Sequence, residues 1–574
     1  MCINKSTNKP GTEQKPIAGG SWKPKDIISK NTLLLLGVSF FIFFSACSNE
    51  AKTSEALKNM GPQPTLDSVT VLKFLSSTPQ FKEQQDWANK FYKERGFKLG
   101  WFKNHQVVPQ ADQMLTIIKN SAEEGLDPKD YQIKDFNKLF ADLKAAEKDS
   151  AAYIKLEKEI DMDLSATYFV WASDYYRGLV VPKENKEVEW DVKRNKIKLH
   201  KALATVLGER DSKYPYADFK PLHPEYAHLK AALAKYRKIK ANGGWPTVPV
   251  GTKLKPGQSS PAVDLIYKRL IATSATKADT SKHTVYDPNI QAAVKDFQKQ
   301  NGLNPDGALG PETINLMNVS VDQRIKQIIL NMERWRWIPK SFEKDYLLVN
   351  IPEYKLHVVE DSVEKFNMRV IVGKTLNSTP IFSDKMEYVV LSPYWNVPVS
   401  IIQKELAPKL ANDPNYLEHL DMEVVDNKGQ QISPSSIDWN SVDDKFKYNV
   451  RRRPGPKNDL GDVKFIFPNT NDIYLHDTPH DELFSQAKRG FSHGCVRVEK
   501  PIDLAEYLLR NIPGYDRSKI LDVISQRQEK HVALKQKLPV YLVYFTAWAD
   551  ANGNVNFRDD IYGHDKTLAK QYFN

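Results

Sequence analysis

The stretch Ser492-His493-Gly494-Cys495-Val496-Arg497 decides how this chain is interpreted, because it places a cysteine two residues after a histidine. The other two cysteines of the chain, Cys2 and Cys47, lie within its first 47 residues. A second histidine, His476, lies nineteen residues before Cys495 in Asp472-Ile473-Tyr474-Leu475-His476-Asp477-Thr478-Pro479. A thiol is a strong nucleophile only as its thiolate, so it needs a nearby imidazole. The sequence therefore predicts a cysteine nucleophile with two candidate histidine bases.

The spacing around these residues also predicts which side chains lie together. Residues 472–478 have the pattern of a strand, along which side chains alternate between two faces. We therefore expect Tyr474 and His476 on one face and the apolar residues between them in a core. An extended second segment would place three side chains on one face: His493, Cys495 and Arg497. A turn at Gly494 would break that arrangement. Free cysteine is commonly a small buried apolar residue, but the polar neighbours of Cys495 favour reactivity.

The first 47 residues have the features of a leader for export. A basic segment reaches Lys30, and an apolar run follows from Leu33 to Ala46. That run is shorter than the roughly 20 residues of a membrane span and is typical of a signal-peptide core. Ser45-Ala46-Cys47 resembles a bacterial lipobox, although Phe44 stands where leucine is usual. We expect lipidation of Cys47, with an uncleaved anchor or an ordinary signal peptide as alternatives. The protein is then anchored to a membrane in the periplasm or cell envelope.

That location bears on the role of Cys495. Cysteines in an oxidising compartment tend to occur in pairs. Cys2 would be removed with the leader and Cys47 would carry lipid, so Cys495 would have no partner for a disulfide. A single unpaired thiol in that setting indicates that its reactivity matters.

Length and charge limit the class of protein. The chain has 574 residues, of which 41% are hydrophobic, enough for three or four folded domains. Its net charge of +11 is compatible with an anionic partner, such as a carboxylate-rich polymer or a membrane surface, or with a solvated basic surface. No run of basic residues is interleaved with aromatic residues, so we expect no nucleic-acid partner.

Hydrophobic periodicity divides the rest of the chain into segments. Residues 65–240 have helical spacing and predict a scaffold domain, and residues 241–261 read as a linker. Residues 257–318 predict a three-helix module. From residue 340 to 525 β-branched and aromatic runs predict strands, and residues 401–462 interrupt them like a lid or a purely structural insertion. Residues 526–574 are expected to pack on the scaffold or the strand-rich domain.

Two resemblances follow from these segments. The run Ala293-Val294-Lys295-Asp296-Phe297-Gln298-Lys299-Gln300-Asn301-Gly302-Leu303, with Asp306 to Thr313, resembles the small peptidoglycan-binding domain. His476 to Arg497 resembles the active-site signature of the L,D-transpeptidases, the YkuD-type catalytic domain. Further runs resemble the large YcbB-like subfamily: residues 331–337, 394–398, 460–465 and 541–548. Two local departures are Asp477, where smaller members have Gly or Ser, and Asp459.

The resemblance implies an α+β multidomain protein. Its parts would be a β-rich catalytic domain with a helical insertion, a helical scaffold and a three-helix peptidoglycan-binding domain. The implied activity is acyl transfer between peptidoglycan stem peptides, which forms 3→3 cross-links with release of D-alanine. Stem peptides and glycan would be the partners, and no metal or organic cofactor is expected.

The same resemblance assigns roles to the site residues. Cys495 would be the nucleophile and His476 its base, whereas spacing alone leaves the two histidines equal. His493 and Ser492 would support the site. The backbone amides of Gly494 and Cys495, with the Tyr474 hydroxyl, are candidate oxyanion donors. Arg497 could bind a stem carboxylate or hold the loop through backbone carbonyls.

Three other interpretations remain open from the sequence. A zinc site could draw on four residues: His476, His480, His493 and Cys495. A wall-binding lipoprotein could have lost its catalysis. Finally, the same thioester could react with water, as in an L,D-carboxypeptidase, or with a protein lysine.

Overall fold

The computed structural model describes residues 55–182, 197–208, 223–274, 281–339, 341–550 and 552–573. The predicted leader and the lipidation candidate Cys47 lie outside these residues. Within the described ranges, no helix is both long enough and apolar enough to cross a membrane.

The segment predicted as a scaffold is helical, as expected. Its helices are α1 (Glu55–Lys58), α2 (Ser68–Ser77), α3 (Gln85–Glu94), α4 (Pro109–Lys119), α5 (Phe136–Ala145), α6 (Ser150–Arg177), α7 (Leu199–Gly208) and α8 (Pro224–Ala241). A small hairpin joins α3 to α4: β1 (Phe102–Lys103) and β2 (Gln106–Val107). The long helix α6 is capped at its start by Asp149, whose carboxylate accepts hydrogen bonds from the backbone amides of Ala151 and Ala152. Its middle is buried on all sides, so α6 is the axis around which the other helices pack.

The predicted three-helix module is present and has its own core. Its helices are α9 (Ala262–Ile271), α10 (Pro288–Gln300) and α11 (Pro311–Met317). Proline stands in the first turn of α11 and Asn301 ends α10, in agreement with the sequence signals. Val263, Val294 and Ile314 are among the apolar side chains that close this core.

Helix α12 (Val321–Trp337) leads from the module to a nine-stranded sheet. The first strands of the sheet are β3 (Tyr346–Asn350), β4 (Lys355–Glu360), β5 (Val363–Gly373) and β6 (Phe382–Leu391). These four strands fall where the β-branched and aromatic runs predict them.

The insertion that follows β6 combines helices and strands. It contains β7 (Trp395–Asn396), α13 (Val399–Ile401), α14 (Ala407–Leu410), α15 (Tyr416–His419), β8 (Met422–Val425), β9 (Gln431–Ile432) and β10 (Asn449–Arg452). The strands form a four-stranded sheet in the order β7-β10-β8-β9, which the sequence did not predict. Leu410, Trp439 and Val450 belong to a separate apolar core within this part of the chain. The insertion is thus a small folded unit with its own interior.

The chain then returns to the large sheet. The remaining elements are β11 (Val463–Ile466), β12 (Leu475–His476), β13 (Gly490–Ser492), β14 (Val496–Val498), α16 (Pro501–Leu509), α17 (Arg517–Ser525), β15 (Lys530–Val543), β16 (Ala547–Ala549), β17 (Val555–Phe557) and α18 (His564–Tyr572). The strand order is β13-β5-β14-β12-β11-β6-β15-β3-β4. Because β4 also pairs with β5, the sheet closes on itself.

The position of β15 shows how residues 526–574 contact the rest of the chain. This strand lies between β6 and β3, so the sheet does not end at residue 525. The later elements β16, β17 and α18 pack against the helices α8, α10 and α12. The C-terminal segment therefore completes the sheet and also contacts the helical parts.

Candidate active site

The candidate site lies where β12 and β14 run side by side in parallel. Leu475 pairs with Val496 and His476 pairs with Arg497. Leu475 and Val496 are fully buried in the main core. Because side chains alternate along a strand, the pair His476 and Arg497 lies on the opposite face. The apolar residues of this motif thereby fix the face on which its polar residues lie.

Cys495 lies in a bend between β13 and β14. Gly494 has φ +121°, a backbone conformation that side-chain-bearing residues rarely adopt, and it ends the extended run. Of the two alternatives left open by the sequence, the structure has the turn at Gly494, so His493, Cys495 and Arg497 do not lie along one extended strand. Cys495 is half-buried, and its Sγ lies 3.9 Å from the carbonyl oxygen of Asp472.

Two buried hydroxyl groups hold this bend. The Ser492 hydroxyl donates to the carbonyl of Cys495 at 2.5 Å and accepts from the backbone N–H of Gly494 at 3.1 Å. The Thr379 hydroxyl donates to the carbonyl of Gly494 at 2.7 Å and accepts from the N–H of Gly373 at 3.0 Å. Since the N–H of Gly494 already has a partner, the N–H of Cys495 is the stronger candidate for binding an oxyanion.

His476 is held as the neutral tautomer that can accept a proton at Nε2. Its Nδ1 lies 2.6 Å from the carbonyl oxygen of Asp477. A carbonyl only accepts hydrogen bonds, so Nδ1 carries the proton and Nε2 remains free to accept one. Burial, with the nearby charges of Arg497 and Lys464, lowers the pKa of His476 to about 3. His476 is therefore uncharged at neutral pH.

The thiol of Cys495 is also neutral at rest. Burial raises its pKa, and this effect outweighs the stabilisation of the thiolate by the backbone N–H and the hydroxyl of Tyr474 and by the charge of Lys464. Tyr474 lies next to both groups, because its ring centre is 5.6 Å from that of His476 and its backbone N–H and hydroxyl act on the Cys495 thiol. As predicted, Tyr474 and His476 share a face. The site thus combines a thiol with a neutral imidazole, and transfer of the thiol proton must accompany attack.

His493 is placed differently from His476. Its side chain is exposed and lines a groove of about 400 Å³ together with Asn377, Ser378, Asn471 and Gly494. The groove opens beside the bend that carries Cys495. His493 thus lies at the rim of the groove, whereas His476 is buried beside Tyr474.

Arg497 contacts a hydroxyl group, not the backbone carbonyls expected for a purely structural role. Its guanidinium donates to Thr478 Oγ1 at 3.5 Å. Burial lowers its pKa, while the charge of Asp459 acts in the opposite direction. Its Nε is buried and has no hydrogen-bond partner within the described part of the chain.

The four residues of the zinc interpretation do not come together. His480 is exposed and lies 3.4 Å from Glu482, and His493 faces the groove. Across the described residues, no three side chains of His, Cys, Asp or Glu are close enough to bind one metal ion.

The structure adds residues that the motif did not indicate. Lys464 on β11 places its Nζ 3.9 Å from the centre of the Tyr474 ring. Tyr562 donates to the carbonyl of Gly373 at 2.6 Å and accepts from the N–H of Thr379, so it supports the threonine that holds the bend. Lys464 stands inside one of the runs that resemble the transpeptidases, whereas Thr379 and Tyr562 have no local signal in the sequence.

Comparison with known proteins agrees with this geometry. Residues 344–521 match the family model of the L,D-transpeptidase catalytic domain, residues 259–317 match a peptidoglycan binding domain, and residues 86–233 match a scaffold domain. The chain therefore carries the catalytic domain of the L,D-transpeptidase family together with a peptidoglycan-binding domain. The resemblance inferred from the motif and from the helical module is confirmed.

A protein of Haemophilus influenzae that is named as an L,D-transpeptidase is 40% identical over 243 residues, which are 42% of this chain and 49% of the relative. The chain thus spans about half the length of the curated relative it matches. Solved L,D-transpeptidases from Xylanimonas cellulosilytica and Stackebrandtia nassauensis are 16% and 14% identical, with TM-scores of 0.17 and 0.20. The alignments cover 51% and 52% of this chain and 99% and 96% of those chains.

Proposed function

We propose that this protein is an L,D-transpeptidase that forms 3→3 cross-links between peptidoglycan stem peptides through a thioester on Cys495. The observation that carries the proposal is the arrangement of Cys495 and His476 around Tyr474, with His476 kept neutral by burial and its Nδ1 proton directed at the Asp477 carbonyl. The peptidoglycan-binding module supports the choice of polymer.

In the first step the Cys495 proton passes to Nε2 of His476 as the sulfur attacks the carbonyl carbon of the third stem residue. The carbonyl oxygen becomes an oxyanion. The N–H of Cys495 has no partner among the described residues and can donate to it. The tetrahedral intermediate then breaks its C–N bond, and D-alanine leaves as an amine that takes the proton from His476.

The second half of the reaction regenerates the protein. The side-chain amine of a neighbouring stem attacks the thioester carbonyl and passes a proton to His476. The C–S bond breaks, and the sulfur recovers its proton from His476. The new amide bond joins the third residues of two stems. Water in place of the amine would give hydrolysis, as in an L,D-carboxypeptidase.

Mass spectrometry of the products from a disaccharide-tetrapeptide tests this proposal. We expect a cross-linked dimer that lacks one D-alanine, and we expect none with Cys495→Ala. If tripeptide is the only product, the protein hydrolyses the thioester and does not form cross-links. No product and no thioester adduct at Cys495 would leave wall binding as the function.

A matched pair of variants separates the two histidines. His476→Ala should reduce thioester formation by about 100-fold or more, because the proton acceptor is lost. His493→Ala should have a much smaller effect, because this side chain lies at the rim of the groove. Equal losses in both variants would contradict the assignment of the base.

We also propose that the chain is exported and lipidated at Cys47 in the cell envelope. The support is the apolar run from Leu33 to Ala46 before that cysteine. Intact-mass measurement of the membrane fraction should show a lipid-bearing protein that begins at residue 47, and Cys47→Ser should abolish the lipid mass.

A further inference from the structure

A second cavity lies against β3 and β4, apart from the groove beside Cys495. It has a volume of about 260 Å³, and its floor is the face of these strands on which Tyr346 and His357 lie. The intervening side chains, such as Leu347 and Val358, point the other way and are fully buried. We call this cavity the β3–β4 groove. It shares no lining residue with the groove beside Cys495, so the two are separate features.

Other parts of the chain supply the walls of the β3–β4 groove. His223 and Glu225, at the start of α8, belong to the scaffold segment, Trp335 belongs to α12, and Trp548 belongs to β16. Phe342 lies in the connection between α12 and β3. Phe342 and Trp548 are half-buried and provide apolar ring surface at the groove. The groove therefore lies where several parts of the chain meet, which is a common place for a ligand site.

Two N–H groups at this groove have no acceptor within the described part of the chain. Trp335 is only 3% exposed, and its Nε1 has no hydrogen-bond partner there. The ring of His223 stacks on Trp335 at 4.5 Å, and its Nδ1 accepts from the N–H of Glu225 at 3.4 Å. Burial, with the charge of His228, lowers the pKa of His223 to about 4, so the ring is neutral and Nε2 carries its proton. Ligand oxygens at this wall would satisfy both donors.

The floor of the groove carries hydrogen-bond acceptors whose charge is already balanced. His357 lies between two carboxylates, with Nε2 3.1 Å from Glu353 and Nδ1 2.5 Å from Glu364. Although burial acts to lower it, the pKa of His357 is raised to about 9 by these two carboxylates, so His357 is a cation. The Nζ of Lys355 lies 3.7 Å from Glu353. Two carboxylates and two cations leave no net charge, while the carboxylate oxygens can still accept from ligand hydroxyl groups.

These features define the chemistry of a ligand. It needs acceptor oxygens for the N–H groups, donors for the carboxylates and an apolar face for the aromatic rings. The carboxylates disfavour an anion, and a cation would face the N–H groups of His223 and Trp335 and find both floor carboxylates already paired. A sugar ring with an acetamido group has all three features, because its carbonyl accepts, its hydroxyls donate and its C–H face is apolar.

We propose that the β3–β4 groove is a carbohydrate-binding site that takes an N-acetylated sugar ring. The argument for binding is independent of Cys495, and only the identification of the sugar with the glycan of peptidoglycan rests on the proposed function. A glycan strand in this groove is held by the catalytic domain itself, in addition to any contact with the peptidoglycan-binding module.

Titration calorimetry with two sugar oligomers tests the site. The full chain is titrated with the tetramer of N-acetylglucosamine and with the glucose tetramer of the same linkage, which lacks acetamido groups. We expect the N-acetylated oligomer to bind about 10-fold more tightly. His223→Phe keeps a ring on Trp335 but removes the N–H, so the preference should fall to about 3-fold or less. Glu364→Ala should weaken both oligomers by about 10-fold, because both carry hydroxyl groups.

The matched control is Lys365→Ala, which follows Glu364 on β5 but does not line the groove, and it should leave both affinities unchanged. The three-helix module is intact in every variant, so its own binding is a constant background. Photo-cross-linking with a diazirine-bearing N-acetylglucosamine tetramer localises the bound sugar, and we expect labelled peptides from β3 and β4.

Three results would overturn the inference. The first is labelling confined to residues 259–317, the peptidoglycan-binding module. The second is a pair of affinities that neither His223→Phe nor Glu364→Ala changes. The third is binding of a tetralysine peptide that Glu364→Ala weakens, with no binding of either oligomer, which would assign the groove to a cationic ligand.

Formation of the cross-linked dimer by the unaltered protein is measured separately. Sugar binding at the β3–β4 groove without any dimer would keep this site and refute the proposed function. Dimer formation without labelling of β3 and β4 would refute this site and keep the proposed function. The two failures are therefore distinguishable.

Discussion

His476 and Cys495 are both uncharged at neutral pH because burial acts on them in opposite directions. It raises the pKa of the thiol, whose charged form is an anion, and it lowers the pKa of the imidazole, whose charged form is a cation. A thiolate–imidazolium pair would require stronger stabilisation of both charges than Tyr474 and Lys464 provide. We therefore expect the resting site to react slowly with adventitious electrophiles.

The pH dependence of alkylation by iodoacetamide should reveal this neutral pair. Because the pKa of Cys495 is raised, its thiolate fraction grows with pH, and the rate should rise about tenfold per pH unit between about pH 6 and about pH 8. His476, with a pKa of about 3, contributes no transition in that range. A rate that is already constant at about pH 6 would indicate an ion pair, and Cys495→Ala gives the background labelling.

Thr379 is a second residue whose role can be tested. Thr379→Val keeps the shape of the side chain but removes the hydroxyl that joins Gly373 to Gly494. We expect the free energy of unfolding to fall by about 1–3 kcal/mol, because a buried N–H and a carbonyl lose their partner. Product formation should fall as the bend at Cys495 loosens.

The control for this change is Thr375→Val, since Thr375 is exposed and makes only a 3.4 Å hydrogen bond to the carbonyl of Ile561. Unchanged stability and activity in Thr379→Val, measured by chemical denaturation and by dimer formation, would show that the bend holds without this hydroxyl.

The residues of the site differ in how far the sequence predicts them. Cys495, His476 and Tyr474 stand in two short runs, so local spacing is enough to select them. Thr379 precedes Gly494 by 115 residues and reaches it only through the pairing of β13 with β5. Lys464 likewise meets His476 through the register between two strands. A single sequence does not show which residues of two neighbouring strands are paired.

At the level of secondary structure, the site is built on short strands. The predicted strand over residues 472–478 is reduced to Leu475–His476, because Asp472 has φ +53° and the chain turns there. After His476, the carboxylate of Asp477 accepts from the N–H of Asp462 and of Thr478, both at 2.7 Å. The side chain that follows the histidine thus ties the end of β12 to the start of β11.

Gly461 makes that connection possible. It has φ +58°, and a Cβ at this position would lie 2.3 Å from Cγ of Asp477. Gly461→Ala should therefore displace the carboxylate and lower the free energy of unfolding by about 2 kcal/mol or more. Denaturant titration measures the change, with Gly208→Ala as the control, because nothing lies within 4 Å of that glycine. If Gly461→Ala is as stable as the wild type, the β11–β12 connection tolerates displacement of the Asp477 carboxylate.

Elements with strong periodicity or turn signals agree with the sequence, and the insertion does not. Helices α9, α10 and α11 follow their apolar spacing and their caps. The strands β8, β9 and β10 are short and lie among Asn, Asp and Pro residues that favour turns. They form because Trp439 and its neighbours supply a local core, which depends on contacts distant in sequence.

Helix α12 joins the parts of the molecule through buried charges. Arg336 is fully buried and donates to the Glu333 carboxylate at 3.0 Å and to the hydroxyls of Tyr226 at 2.9 Å and Tyr572 at 3.3 Å. It also donates to the carbonyl of Glu124. One side chain therefore connects α12 to the scaffold and to α18. The usual amphipathic pattern of a helix predicts that a charged residue such as Arg336 faces solvent. This buried contact could therefore not be predicted from the sequence.

Arg336→Met should destabilise the whole protein by about 3–5 kcal/mol, because the buried Glu333 carboxylate loses its counter-ion. Thermal unfolding followed by circular dichroism would show the lower midpoint. Lys326→Met on the exposed side of α12 is the matched control and should change the midpoint little. Equal midpoints for the two variants would mean that apolar contacts alone hold α12 in place.

Because a ribosome makes the chain from its N-terminus, the position of β15 in the sequence determines when the sheet can close. Cys495 is synthesised before Lys530–Val543, the strand that fills the gap between β6 and β3. Until that strand arrives, the sheet has two unpaired edges and the bend at Gly494 lacks a closed framework behind it. A nascent or interrupted polypeptide that already contains its nucleophile therefore lacks the closed sheet on which the site is built, and the sheet is completed only after residue 543 has been added.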